Sequence, residues 1–196
     1  MCYDVKSSLT SWSIAVAIAI YLYIRNRNYD RWNSGFIIAF TTIQLVEAGL
    51  WSTDNKGLNS LLTRLVLMVL LFQPFVQTYL GAQATKNTFL HIGSYIFLGI
   101  IIYGLLASTN KNLRSNVGKN GHLVWHLEGM MGGVVGILYL LGLFVPLLFM
   151  KEGRGLPLLI TGLITAAFSA SKAGTGEFSS LWCYYSVIYS VVAVFV

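Results

Sequence analysis

Only seven acidic residues occur in this 196-residue chain, and three of them, Glu47, Glu128 and Glu177, fall within or at the edge of long apolar segments. An ionised side chain at the centre of a membrane helix costs about 2.5 to 3.5 kcal/mol on insertion scales, so such groups face the bundle interior, pair, or serve a function. Arg64 and His126 belong with them. Three chemistries suit this set. A carboxylate in a low-dielectric cavity is poised to bind or pass a proton, ion or small solute, with Arg64 as the counter-charge to Glu47. Cys2, Cys183, Glu47 and His126 or His122 are ligand types that zinc accepts. A metal-activated water with Glu128 or Glu47 as general base would make a membrane-embedded hydrolase. Each has a plainer rival: an Arg64–Glu47 ion pair that only fastens two helices, a Cys2–Cys183 disulfide on an oxidising side, or two unrelated thiols.

The elements that must position these residues follow from composition. The chain is 56% hydrophobic and 10% charged, with a mean hydropathy of +0.67, whereas soluble domains carry about 25% charged residues. A water-soluble globule is excluded, and two cysteines exclude a disulfide scaffold. At ~20 apolar residues per crossing, seven crossings fill the chain and leave no room for a soluble domain. The apolar segments predict helices over about 8–24, 35–51, 58–80, 89–107, 123–150, 156–171 and 178–196, an all-α integral membrane bundle forming one transmembrane domain. The first is expected to be a retained anchor, since its positive cluster follows the apolar run, opposite to a signal peptide.

An odd number of crossings puts the two ends on opposite sides, here called A for the N-terminal side and B for the other. Basic residues divide evenly between them, and Arg25, Arg27 and Arg31 just beyond the first helix favour B as cytoplasmic and the N-terminus as outside or lumenal. The net charge of +6 suits anionic headgroups. Basic residues scattered on both sides argue against a nucleic-acid partner. The predicted topology collects Cys2, Glu47, Arg64, His126, Glu128, Glu177 and Cys183 in the A half, around a polar pocket expected to open toward side A. Gln44, Glu47 and Trp51 share one helix face, as do Ser179, Cys183, Ser186 and Ser190. Gln73 and Gln77 lie on the opposite side of their helix from Arg64 and are read as glue between helices. His122 and His126 have the i, i+4 spacing of two ligands, if their segment is helical. Gly129, Gly132, Gly133 and Gly136 form GxxxG spacings suited to close packing within the bundle, or to a second copy of the chain. The five tryptophans near helix ends read as interfacial belts, with Trp51 and Trp182 as a roof for the site in the rival reading. No lysine lies in the middle of the last helix for retinal, and the histidines enter from opposite sides, which argues against a haem.

Met1-Cys2-Tyr3, the Gln-x-x-Glu-x-x-x-Trp of Gln44, Glu47 and Trp51, and the Leu-Trp-Cys-Tyr-Tyr from Leu181 to Tyr185 together resemble a group of small uncharacterised polytopic membrane proteins. Members of that group begin Met-Cys, carry an acid in the second helix and end with a Trp-Cys in the last. The resemblance covers both ends and the second helix and brings no activity with it. It implies that Cys2, Glu47 and Cys183 belong together.

Overall fold

The computed structural model describes residues 4–174 and 176–196, apart from the side chain of Ser186. Its α-helices are α1 (Val5–Arg25), α2 (Asp30–Trp51), α3 (Lys56–Thr85), α4 (Thr88–Ser108), α5 (Gly133–Phe144), α6 (Gly155–Lys172) and α7 (Phe178–Ala193). The chain is an all-α bundle of seven helices among the described residues. Five of them, α1 to α4 and α6, are long and apolar enough to cross a membrane. Large apolar side chains such as Ile24, Tyr95, Leu106, Val134 and Ile164 stand on the outer surface, as lipid contact requires.

Local chemistry sets the helix ends. The Asp4 side chain accepts from Ser7 N at 2.7 Å to cap α1, and Asn26 in the left-handed region ends it. Asn55 caps α3 and Asn87 caps α4 by the same side-chain-to-amide bonds. Pro74 stays inside a continuous α3. Pro146, by contrast, lies just past the end of α5, in a short 3-10 turn, Val145–Phe149.

The burial of the helices is unequal. Of its apolar window, α2 buries 67% and α3 56%, against 28% for α1 and 22% for α4. The bundle is therefore built around α2, which packs on α1, α3 and α7. The Arg25 guanidinium closes side B: it donates to both Asp30 carboxylate oxygens at 2.7 and 2.8 Å and to Val194 O at 2.6 Å. Arg154 holds Val196 O at 3.0 Å. The B ends of α1, α2, α6 and α7 are thereby joined.

The predicted helix over 123–150 is corrected by the structure. Residues Arg114–Val117 (β1) and Leu123–His126 (β2) form an antiparallel hairpin, and α5 begins only at Gly133. Gly129 and Gly133 adopt positive φ, which ends helical geometry there. The sequence Leu-Val-Trp-His alternates: Leu123 and Trp125 point into the bundle while Val124 and His126 point out. Of the glycines read as GxxxG pairs, Gly129 and Gly132 lie outside α5.

Non-helical backbone at a membrane surface needs partners from the protein. Asn59 on α3 supplies them, donating to Ser115 O at 3.1 Å and accepting from Ser115 N at 2.9 Å, beside a Thr63–Ser115 hydroxyl bond of 2.8 Å. Three of the five tryptophans expected in interfacial belts face the core instead. Trp32, Trp125 and Trp182 are buried within the bundle, at 2%, 9% and 6% exposure.

Two predictions follow from these contacts. Asn59→Ala leaves Ser115 with two unsatisfied backbone groups, a loss of about 1–3 kcal/mol; amide hydrogen exchange in detergent should rise across 114–126 and not in α3. Hydrogen bonds from Ser7 hold the exposed Asp4 carboxyl below its ordinary pKa, so the capping stabilisation is present above about pH 4 and is lost as pH falls through the lowered value. The Ser7 amide should lose protection in acid, and Asp4→Asn should remove that pH dependence.

Candidate polar site beneath the hairpin

Glu47 and Gln44, one turn apart on α2, are both completely buried. The Ser180 hydroxyl of α7 donates to Glu47 Oε1. Cys183, one turn further along α7 and 1% exposed, is an electrostatic neighbour of Glu47. Tyr139 of α5 is in turn an electrostatic neighbour of Cys183. Its hydroxyl donates to Gln73 Oε1 at 2.5 Å, and Gln73 Nε2 donates to Phe40 O at 3.4 Å. Side chains from α2, α3, α5 and α7 thus make a buried polar cluster.

Apolar packing encloses it. Leu113, Leu123 and Trp125 of the hairpin segment join the same core as Val46, Leu50, Trp182 and Cys183. Trp182 stacks on Phe178 at 5.6 Å between ring centres and donates from Nε1 to Thr165 Oγ1 at 3.2 Å. Trp51 is half-buried against this core, and its indole N–H has no hydrogen-bond partner among the described residues. The expected pocket open to side A is corrected here: the hairpin covers it, and the carboxylate of Glu47 is closed to solvent.

Several expected members lie elsewhere. Arg64 turns away from Glu47 and donates to the carbonyls of Thr109 and Lys111, at 3.4 and 3.0 Å, at the end of α4. The expected Arg64–Glu47 pairing is therefore replaced by a helix C-terminal contact, which satisfies carbonyls that α4 leaves free. His126 stands exposed on the outer face of β2, bonded to Asn116 Oδ1. Because its segment is a strand, the i, i+4 ring pairing with His122 does not form. His122 is buried at 3% exposure just ahead of β2. Glu128, on the surface, pairs with Lys111 at 3.2 Å.

Glu177 is completely buried and works as a clamp. Its two carboxylate oxygens accept from Asn120 N at 2.9 Å in the hairpin turn and from Gly174 N at 2.8 Å. The turn residue Gly118 is required here, since a Cβ on it would collide with Glu177 Oε1.

Of the proposed zinc ligands, Glu47 and Cys183 come together and His126 does not, while Cys2 lies outside the described residues. Among the described residues no group of three or more His, Cys, Asp or Glu side chains could hold a metal ion. His126 and Glu128 stand on the outer surface, apart from Glu47.

Sequence reasoning overlooked Ser180 and Tyr139. Ser180 shares a helix face with Cys183 by an i, i+3 step and was masked by the adjacent Ser179; Tyr139 sits in a uniformly apolar run with no periodic signal. A double-mutant cycle tests the clamp. Gly118→Ala should cost about 1–3 kcal/mol through overpacking, and markedly less in a Glu177→Ala background, as read by thermal unfolding in detergent.

Comparison with known protein families, with curated proteins and with solved structures finds no match to this chain.

Proposed function

We propose that this multi-pass membrane protein binds and moves a small cation, the proton included, at the Glu47 cluster. One observation carries the reading: a carboxylate with 0% exposure lies inside a bundle of apolar helices, with the Ser180 hydroxyl donating to it and Gln44 and Cys183 beside it. Burying an ionised carboxylate costs several kcal/mol even after relaxation. Acids retained at membrane depth mark ion and proton pathways. A single acid with neutral oxygen donors around it matches one positive charge rather than a divalent ion, which draws six or more oxygens.

The Glu47–Ser180 hydrogen bond also supports a structural reading, in which it only fastens α2 to α7. Glu47→Gln separates the two, because the amide preserves shape and a hydrogen bond while removing the charge. Purified protein in liposomes should pass protons, sodium or potassium faster than empty vesicles under an imposed gradient. Glu47→Gln should lower that flux at least about tenfold, equivalent to roughly 1.4 kcal/mol on the barrier, with thermal unfolding little changed. Flux no greater than in empty vesicles for all three ions, from folded protein, overturns the reading.

A further inference from the structure

Arg31 is exposed on side B, in the first turn of α2. Its guanidinium lies over the Tyr23 ring of α1, 5.4 Å from the ring centre. Among the described residues it forms no ion pair, and the adjacent carboxylate of Asp30 is taken by Arg25 and by the Arg27 amide. A ring contact holds the charge in place without consuming the five N–H donors of a guanidinium. A guanidinium so held at headgroup level is matched to phosphate, whose oxygens it meets in pairs.

The same face of α2 continues inward as a groove. Gly35, Ile38 and Thr42 follow Arg31 at steps of four, three and four residues, so they lie beneath it on one side of the helix. Together with Ala39 they form one wall of a groove of about 370 Å³, and Phe72 and Val76 of α3 and Ile101 of α4 contribute to the other. Ile38 and Phe72 at its rim are exposed, while Ala39 is buried at its floor. The Thr42 hydroxyl donates to Ile38 O at 2.7 Å, so it offers no free donor to a ligand. From Gly35 to Thr42 the groove follows about 10 Å of helix, beginning about 6 Å beyond Arg31. It therefore lies within the leaflet beneath that guanidinium, half of a hydrocarbon core of about 30 Å.

We propose that this groove binds an acyl chain of one anionic phospholipid from the side B leaflet, with the lipid phosphate on Arg31. Charge complementarity selects the occupant: a guanidinium without an acidic partner stands one helical turn from the mouth of an apolar groove, as phosphate stands above a chain. A headgroup of net negative charge is favoured, because the ammonium of a zwitterionic lipid already offsets its phosphate, and Arg27 in the preceding turn is a second exposed cation at this level. The volume falls within the range of about 300–1,000 Å³ for small-molecule sites. Spread along about 10 Å of α2, it leaves a cross-section well below that of a helix about 10–12 Å across, which rules out a helix seated in it. The inference is independent of Glu47, which lies on the inner face of α2.

The test titrates full-length protein, stripped of lipid in detergent, with phosphatidylglycerol or with phosphatidylcholine, and counts bound lipid by native mass spectrometry. One phosphatidylglycerol should bind in preference to phosphatidylcholine. Arg31→Gln should weaken it about tenfold or more, as expected for a lost charge-assisted hydrogen bond. Ala39→Leu fills the floor of the groove and should weaken it as far, and Val76→Phe blocks the groove from α3 as a second variant. Lys151→Gln removes the same charge from side B beside Tyr29, about 200° around α2 from Arg31, and should leave binding unchanged. Thermal unfolding in detergent shows which variants are folded. Equal binding of the two lipids, or equal weakening by Arg31→Gln and Lys151→Gln, overturns the site and leaves surrounding lipid only. Full binding in both blocking variants overturns it too. A protein dimer that both blocking variants dissolve, and that phosphatidylglycerol does not displace, overturns it in favour of a second copy of the chain.

Discussion

A helix that carries polar groups along its most buried face constrains everything packed around it. In lipid, α2 cannot leave Asp30, Gln44 or Glu47 facing hydrocarbon, so it must be surrounded by other helices. It packs on α1, α3 and α7, and it is the most deeply buried of the membrane-spanning helices. The partners then complement it. Arg25 of α1 meets Asp30, Gln77 of α3 accepts from the Trp32 indole at 2.9 Å, and Ser180 of α7 meets Glu47. Gln77 also donates to Leu143 O at 3.2 Å, tying the end of α5 to α3.

The two ends of the bundle are closed by different means. Side B relies on arginines: Arg25 and Arg154 reach the carbonyls at the end of α7, where the helix dipole favours cations. Side A relies on the hairpin, whose inner residues Leu123 and Trp125 complete the apolar core above Glu47. A strand at this place leaves backbone groups that a helix would have satisfied internally. Asn59 and Glu177 answer for them, one along β1 and the other at the turn. The cluster around Glu47 therefore opens only if the hairpin or its contacts yield.

The membrane class, the count of seven helices and the burial of Glu47, Gln44 and Cys183 are legible in the sequence. Charge is costly in hydrocarbon, and residues three or four apart share a helix face, so composition and spacing report those features directly. The hairpin was not legible. The residues of β2 lead into the apolar run of α5, and a short apolar stretch reads equally well as buried strand or buried helix, while β1 lies in an Asn-, Ser- and Gly-rich segment that reads as a solvated loop. The glycines that end helical geometry also have the spacing of packing motifs, because both roles use the same residue.

Which polar groups meet was decided only by the tertiary structure. Arg64 and Glu47 sit on neighbouring helices at similar depth, and depth says nothing of azimuth; the arginine serves α4 instead. His126 loses the site because a strand turns alternate residues outward. Ser180 gains it because the contact of α7 with α2 selects that residue over Ser179. A one-dimensional pattern determines which residues must leave lipid and at what depth. The packing of one helix against another determines whom each of them touches.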